Sequence, residues 1–195
     1  MARPPQKRRL ETRARLLAEA ARLVDAQGYA GLRVEDVVEA AGVAKGTLFS
    51  HFSDKDGLLA VLIGAEVMRL IDEMENAAPP ADLPQLMERL VPLLDFVASD
   101  RVIFDLLLRY SGSTGAERDE IVTQGFYRQI DLWAGWIVSM QAAGTVRGDH
   151  PPALLAEGIQ AFLNQVIAIR FCQGGQPTGT PAEALYPFLA AWLIT

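Results

Sequence analysis

The chain has 195 residues, half of them hydrophobic, so it can bury a substantial core and is not a disordered protein. The single cysteine, Cys172, excludes an internal disulfide and a zinc site built from cysteines. The longest apolar stretches are interrupted by charges before the roughly 20 residues of a membrane span, and the charged N-terminus does not fit a secretory signal. We therefore expect a cytoplasmic protein without membrane contact.

The net charge of −6, taken alone, argues against a nucleic-acid partner, but the charges are unevenly distributed. Residues 1–22 carry seven basic and two acidic side chains, a balance of +5, whereas residues 57–195 have a balance of −8. DNA attraction depends on the local potential, because each bound phosphate releases condensed counterions. A basic segment before an acidic body is compatible with DNA binding, and also with a solvated basic tail.

The chain begins with helical periodicity, and no segment shows the sustained alternation of a strand. The apolar face of the first predicted helix recurs at steps of four and three, at Leu10, Ala14, Leu17, Ala21 and Val24. Gly28 predicts the end of this helix near Gln27. Since the later segments are also helical in pattern, we expect an all-α fold of about nine helices.

Three helices follow in close succession, over about residues 35–41, 45–51 and 54–77. Ser53 and Asp56 have the spacing of a capping box and predict the start of the third of these. We predict a boundary at about residue 54. It separates an N-terminal head, residues 1–54, from a C-terminal body, residues 55–195.

The fifth to seventh helices are predicted from their capping residues. Asp82 begins the fifth, with Gln85 at the reciprocal position. The sixth spans about 101–110, and Thr114 with Glu117 caps the seventh, which runs to about residue 143.

The last two helices begin at prolines. The eighth starts at Pro151-Pro152, a favoured first-turn residue type, and runs to about Gln173. The ninth has Thr180 as N-cap, followed by a first-turn proline and the capping partner Glu183.

Residues 34–59 have the organisation of a helix-turn-helix, which places one helix in the DNA major groove. Gly42 stands where the second helix must turn sharply into the third. The third helix is too short to be stable alone and must be held by packing. The predicted core of this unit consists of Val34, Val37, Val38, Ala41, Val43, Leu48 and Phe52.

The outward side of the third helix is polar. It carries side chains that suit phosphates and base edges, at Lys45, Thr47, Ser50 and His51. Gly46 would let the backbone approach DNA closely, and Lys55 lies in the first turn of the fourth helix, where a phosphate can also meet free amides.

Residues 10–60 resemble the TetR (tetracycline-repressor) family of transcriptional regulators. The resemblance is carried by Ala41-Gly42-Val43, Lys45-Gly46-Thr47-Leu48-Phe49, His51-Phe52 and Lys55-Asp56-Gly57-Leu58. It implies that Thr47, His51 and Lys55 contact the DNA backbone. It also implies that Lys45, Gly46 and Ser50 face the groove.

Three positions depart from the family pattern. Phe49 replaces a usual tyrosine, so a hydroxyl-to-phosphate bond is lost and only apolar contact remains. Ala44 replaces a common serine, and the missing N-cap typically costs on the order of 1 kcal/mol. Arg33 replaces a usual threonine, and it either adds a phosphate contact or points to solvent.

For the whole chain, the resemblance implies a repressor that binds a palindromic operator in double-stranded DNA as a homodimer. An unknown small-molecule inducer bound in the body would release it, with no cofactor or metal. The implied pocket lies among the fourth to seventh helices. Its candidate lining residues are Phe96, Phe104, Leu108, Arg109, Trp133, Trp136, Met140 and Phe162. The stripe Trp133, Trp136 and Met140 is more typical of a hydrophobic core than of a ligand site.

The eighth helix is apolar on nearly all sides and must be buried on nearly all sides. One face can meet the core while another meets a second chain, so that two helices from each chain form a four-helix interface. The candidates are Ile159, Leu163, Val166, Ile167, Arg170, Leu185, Phe188, Leu189 and Trp192. A central helix of a monomer is the alternative.

Two other classes of protein remain as alternatives. An enzyme is disfavoured because the chain has only two histidines, His51 and His150, and no phosphate-binding loop, dinucleotide fingerprint or zinc spacing. A structural DNA-binding or protein-interaction module would share the head but lack a ligand pocket. A body cavity below about 300 Å³ would favour such a module.

Overall fold

The computed structural model describes residues 5–111, 120–172 and 179–194, which form helices and no strand. The helices are α1 (Pro5–Gly31), α2 (Val34–Ala40), α3 (Lys45–Phe52), α4 (Lys55–Asn76), α5 (Leu83–Ser99), α6 (Arg101–Tyr110), α7 (Glu120–Ala142), α8 (Pro152–Cys172) and α9 (Pro181–Leu193). The all-α prediction is confirmed. The predicted cap at Thr114 and Glu117 lies outside the described residues.

Two of the predicted caps are present. The Thr180 hydroxyl accepts from the Glu183 amide at 3.1 Å, and the Glu183 carboxylate accepts from the Thr180 amide at 2.7 Å, which completes a capping box. The Asp82 carboxylate accepts from the Gln85 amide at 3.0 Å. The side chain of Gln85 returns to the amide of Ala81, one residue earlier than predicted.

The predicted cap at Ser53 and Asp56 is wrong. Ser53 has a φ of 64°, and the cap is Asp54, whose carboxylate accepts from the Gly57 amide at 2.7 Å. The chain reverses at Ser53, so the first turn of α4 begins one residue later. Gly57 is required here, because a Cβ atom would overlap the carbonyl oxygen of Phe52.

The predicted apolar face of α1 is wrong in its N-terminal half. Leu10 is 62% exposed and Ala14 is also exposed, because the first turns of α1 have no apolar partner among the described residues. The buried face starts later, with Leu16, Ala20 and Val24. The helix breaks at Gly28, which has a φ of 78°, before a last short turn to residue 31.

Two hydrophobic clusters organise the described chain. The head cluster joins α1, α2 and α3 to the first half of α4 and to one face of α6. The body cluster joins the second half of α4 to α5, α7, α8 and α9. Packing is continuous across residue 54, because Leu58, Leu59 and Ile63 of α4 belong to the head cluster.

Helix α8 is long and apolar enough to cross a membrane by length and composition. Here it packs against α5, α7 and α9. Its buried residues include Leu155, Ile159, Leu163 and Ile167, which belong to the body cluster. The helix therefore has the packing of a core helix.

Gly158 brings α9 close to α8. The indole Nε1 of Trp192 donates to the carbonyl of Leu155 at 3.2 Å, so the ring lies across the α8 backbone. A Cβ atom on Gly158 would stand 2.5 Å from Cε2 of this ring. The indole is rigid and held by its hydrogen bond, so the close approach depends on glycine.

We predict that Gly158→Ala lowers the free energy of unfolding by about 1–2 kcal/mol, because overpacking against the indole outweighs the helix propensity of alanine. Gly135→Ala is the matched control on α7, where a Cβ atom meets nothing within 4 Å. It is expected to raise the free energy of unfolding by about 0.5–1 kcal/mol. Urea denaturation at one protein concentration measures both, and equal effects would contradict the prediction.

Candidate functional site

The recognition helix α3 has eight residues and is held by packing rather than by its own propensity. Leu48 and Phe52 of α3 are buried against Val34 and Val37 of α2, in the head cluster. Of the predicted core, Val38 and Val43 are partly buried and pack against this cluster. The outer face of α3 is therefore fixed relative to α1, α2 and α4.

The turn between α2 and α3 is tight. Gly42 has a φ of 61°, which glycine adopts readily, and the amide of Val43 donates to the carbonyl of Val38 at 3.0 Å. Ala44 precedes α3 in extended conformation and makes no side-chain cap, as its side chain predicts. The turn thus sets the angle at which α3 leaves α2.

The outward side chains of α3 lie on one surface. Lys45, Gly46 and Ser50 are exposed, Thr47 and His51 are half-buried, and the Phe49 ring is 38% exposed. The Lys45 ammonium pairs with Glu35 at 2.6 Å and lies 5.8 Å from the Phe49 ring centroid. An exposed ion pair of this kind contributes little, so a phosphate can replace Glu35.

Gly46 has no structural requirement within the described chain. A Cβ atom at this position would meet nothing within 4 Å, and glycine inside a helix costs about 1 kcal/mol relative to alanine. The only advantage of glycine here is a smaller outer surface on α3.

Arg13 of α1 supports α3 from behind. Its guanidinium donates to the carbonyl of His51 at 2.8 Å and lies 4.3 Å from the ring centroid of Phe52. Burial, with the nearby charges of Arg9 and Arg13, lowers the pKa of His51, so its imidazole is neutral at pH 7. Arg13 is a positioning residue that the sequence suggested only through the basic balance of residues 1–22.

Basic residues of α1 border the recognition helix. An open groove of about 760 Å³ separates the two helices. Arg8 and Arg15 line it from α1, and Ala44 and Thr47 line it from the α3 side. Arg33 is exposed just before α2, and Lys55 is half-buried in the first turn of α4. The predicted DNA contacts therefore share the head with two further arginines of α1.

Helix α6 is tied to the head at both ends. At its start, the Asp100 carboxylate accepts from the amide of Ala30 at 3.2 Å and from that of Val102 at 2.9 Å. At its end, Arg109 pairs with Asp56 of α4 at 2.6 Å. Arg109, predicted as a ligand residue, is therefore directed toward the head.

The junction between the end of α1 and the body also contains Phe96. This ring meets Tyr29 edge-on, with centroids 6.2 Å apart, and lines a surface cleft rather than the body cavity. Burial, and then the charges of Glu66, Asp25 and Asp100, raise the pKa of Tyr29 to about 12. Its phenol therefore stays protonated at neutral pH.

The body contains a cavity of about 260 Å³ between α4, α5, α6, α7 and α8. Its walls are mainly apolar and include Leu93, Val97, Phe104, Leu108 and Phe126. The polar groups in its wall are Ser111, Gln129, Gln160 and Asn164. Of the predicted ligand residues, Phe104 and Leu108 line this cavity.

The remaining predicted ligand residues lie elsewhere. Trp133, Trp136 and Met140 are buried in the body cluster and are not part of the cavity wall. The indole Nε1 of Trp133 has no hydrogen-bond partner within the described chain. Phe162 packs against Phe188 on the outer side of α8. A helical stripe shows which side chains share a face, but it does not show which of them border a cavity. The stripe predicted as a ligand site therefore lies in the core.

Gln129 is a cavity residue that the sequence analysis missed. It is buried, and its Nε2 donates to Oε1 of Gln160. The Nε2 of Gln160 donates in turn to Oδ1 of Asn164 at 2.9 Å. Gln129 lies four residues before Trp133, on the same face of α7. A glutamine in an otherwise apolar stripe was the available signal.

Most of the predicted interface residues are buried inside the single chain, because α8 and α9 pack on the body. These are Ile159, Leu163, Val166, Ile167, Leu185 and Leu189. Phe188 is 42% exposed and Trp192 is half-buried. Arg170 donates to the carbonyl of Gly179 at 3.1 Å. The surface left for a partner is therefore narrower than predicted.

Comparison with known proteins matches this architecture. Residues 16–62 match the family described as "Bacterial regulatory proteins, tetR family". The chain is 30% identical over 149 residues to the HTH-type transcriptional regulator CymR of Pseudomonas putida, and the match covers 70% of each chain.

Solved structures share the fold over nearly the whole chain. The transcriptional regulator FadR of Bacillus subtilis, in complex with stearoyl-CoA, superimposes with a TM-score of 0.64 at 15% identity, over 92% of this chain and 97% of that one. SmeT, the repressor of the Stenotrophomonas maltophilia efflux pump SmeDEF, gives 0.60 at 19% identity, over 93% and 90%. With a recognition helix presented as described and a relative that is 30% identical over most of its length, this chain belongs to the TetR family of DNA-binding transcriptional regulators.

Proposed function

We propose that the protein is a repressor that binds a palindromic operator as a homodimer and is released by a small molecule in the body cavity. The observation that supports DNA binding most directly is the outer face of α3. This face is mainly polar, is not covered by any other described element and is bordered by the arginines of α1. Backbone contacts would come from Thr47, His51 and Lys55. Lys45 and Ser50 would meet base edges.

The small outer surface at Gly46 fits close approach to DNA, and Phe49 would offer an apolar contact, for example to a thymine methyl group. Arg33 has the exposure needed for a phosphate contact. The arginines of α1 extend the positive surface, so a head with a net-acidic body behind it can still attract DNA.

Operator affinity should depend on the proposed backbone contacts. An operator obtained by genome-fragment selection with the purified protein provides the probe. We predict that Lys55→Ala weakens its binding about tenfold and lowers the slope of affinity against salt by about 1. Thr47→Ala should weaken binding with a smaller change in slope, because it removes a neutral contact. Fluorescence anisotropy at several salt concentrations measures both.

Arg89→Ala is the control for the lost charge. Helix α4 has 22 residues and is about 33 Å long, and Arg89 lies beside its far end, with Nε 3.3 Å from the carbonyl of Ala78. This variant should bind the operator as the natural chain does. If Thr47→Ala and Lys55→Ala also bind unchanged, the proposed docking of α3 is wrong.

The proposed dimer would pair the outer faces of α8 and α9. Phe162 stacks on Phe188 with centroids 5.4 Å apart and meets Trp192 edge-on at 5.9 Å. Leu154 and Ile169 are exposed on α8 eight and seven residues from Phe162, and Tyr186 is exposed on α9. Contiguous exposed apolar side chains mark interaction surfaces in soluble proteins. A twofold pairing would give two recognition helices for adjacent major-groove turns, about 34–36 Å apart.

Phe188→Glu is therefore expected to dissociate the dimer, because it places a charge in the centre of an apolar contact. Tyr127→Glu is the control, since Tyr127 is 63% exposed on α7, outside the proposed interface. Sedimentation velocity should give a monomer for the first variant and a dimer for the second. A dimer for both variants would contradict the proposed surface.

Release of the operator on ligand binding would act through α6. Phe104 and Leu108 of this helix line the cavity, while Asp100 before it and Arg109 at its end hold the head. A ligand shifts the balance between two head positions only by its difference in affinity for the two states. Because this short helix lines the cavity and also contacts α1 and α4, a change in the cavity wall can reach the two helices that pack against α3.

A DNA-binding protein without an inducer is the second candidate. The cavity of about 260 Å³ falls below the roughly 300 Å³ at which ligand pockets usually begin. FadR, by contrast, was solved with stearoyl-CoA, a far larger molecule.

Operator anisotropy against a ligand panel decides between the two candidates. We expect at least one small, mostly apolar compound to weaken operator binding about tenfold or more, which corresponds to an ordinary allosteric coupling. The panel includes an acyl-CoA, aromatic compounds, and short alcohols, acids and amines. An unchanged affinity with every compound at saturating concentration would favour the protein without an inducer.

A further inference from the structure

We propose that the body cavity takes an uncharged amphiphile with roughly nine non-hydrogen atoms, whose polar group both donates and accepts hydrogen bonds. The inference rests on the proposed function, because it concerns the cavity assigned to the inducer. It specifies the charge, the size and the polar group of the ligand from the cavity wall.

The charge follows from the wall. Among the described residues that line the cavity, none is an aspartate, glutamate, lysine, arginine or histidine. Among the charged residues of α6, Arg109 pairs with Asp56 of α4 and Arg101 pairs with Asp105. A carboxylate or ammonium group moved into such a site would lose its water without gaining a counter-charge from the described wall. A neutral ligand has no such penalty.

The size follows from the volume. The cavity measures about 260 Å³, which is roughly nine times the volume of a water molecule in the liquid. Most of the wall consists of leucine, valine and phenylalanine side chains from α4, α5, α6, α7 and α8. A chain of about eight carbons fits this volume and this surface, and it would contribute binding free energy by leaving water.

The polar group follows from three amides that cross the wall. Gln129 and Gln160 are buried, and the bonds run from Gln129 to Gln160 and from Gln160 to Asn164. Within the described chain, two side-chain amide atoms are left without hydrogen-bond partners. They are Oε1 of Gln129, an acceptor, and Nδ2 of Asn164, a donor. If all three amides are turned over, the acceptor and the donor exchange ends. In both arrangements the ligand meets one acceptor and one donor.

A hydroxyl group can bond to either end in either arrangement, because it donates one hydrogen bond and accepts others. n-Octanol therefore matches the cavity in size, charge and polar group. n-Octanoate and n-octylammonium have the same chain and nearly the same size but are charged at neutral pH. The three compounds therefore differ mainly in the charge of the polar group.

Isothermal titration calorimetry of the full chain with these three compounds tests the proposal. We expect n-octanol to bind at least about tenfold more tightly than either charged compound. Gln160→Leu, which removes the central amide, should weaken n-octanol about tenfold. Gln124→Leu is the matched control, because Gln124 is exposed on α7 and its side chain bonds, within the described chain, to Glu120.

Equal or tighter binding of n-octanoate or n-octylammonium would overturn the proposal, as would no binding of any of the three. An unchanged n-octanol affinity in a folded Gln160→Leu variant would overturn the role of the amides. If this variant does not fold, the series on the natural chain still decides. Operator anisotropy tests induction separately. Binding of n-octanol without operator release would support the ligand class and contradict induction. Operator release by a charged compound would support induction and contradict the ligand class.

Discussion

Helix α4 belongs to two hydrophobic clusters at once, and the rest of the structure depends on this sharing. Its first half contributes Leu58, Leu59 and Ile63 to the head cluster. Its second half contributes Val67, Ile71 and further residues to the body cluster. Since a packed helix resists bending, the recognition helix keeps a defined position relative to the body. Any repacking of the body around α4 must move the head or strain one of the clusters.

Helix α6 doubles this link. Ile103 and Leu106 pack in the head cluster while Phe104 packs in the body cluster, so successive faces of a ten-residue helix serve different clusters. The polar contacts at its two ends, through Asp100 and Arg109, hold the same arrangement. These contacts are exposed and individually weak, and a change in the cavity wall can therefore redistribute them.

The DNA-facing helix α3 has few stabilising interactions of its own. Helix α3 lacks a side-chain cap, and it has Phe49 where the family resemblance implies a tyrosine. Its position comes from buried Leu48 and Phe52 and from Arg13, which holds the end of the helix. The operator contacts we propose thus depend on packing behind the helix, and pairing two heads would multiply an individually limited affinity.

Sequence periodicity placed the helices well, since helix formation follows local pattern. It was less reliable for side chains. Leu10 and Ala14 fit the apolar stripe of α1, yet they are exposed because no described apolar side chain covers them. The Ser53 cap failed because a positive φ at that residue shifted the start of α4. The stripe of Trp133 and Met140 was named as a ligand candidate although such stripes more often belong to a core, and the structure places them in the core.

By itself, the sequence determined the all-α class, the helix-turn-helix with its outward residues, and the family, because these depend on local spacing and on a motif within one segment. Only the tertiary structure decided which apolar faces meet each other and which meet a void. It brought Gln129 of α7 to Gln160 of α8, 31 residues away, and linked Asp56 to Arg109 across 53 residues. Such contacts depend on how separate helices pack, and no local pattern encodes that packing.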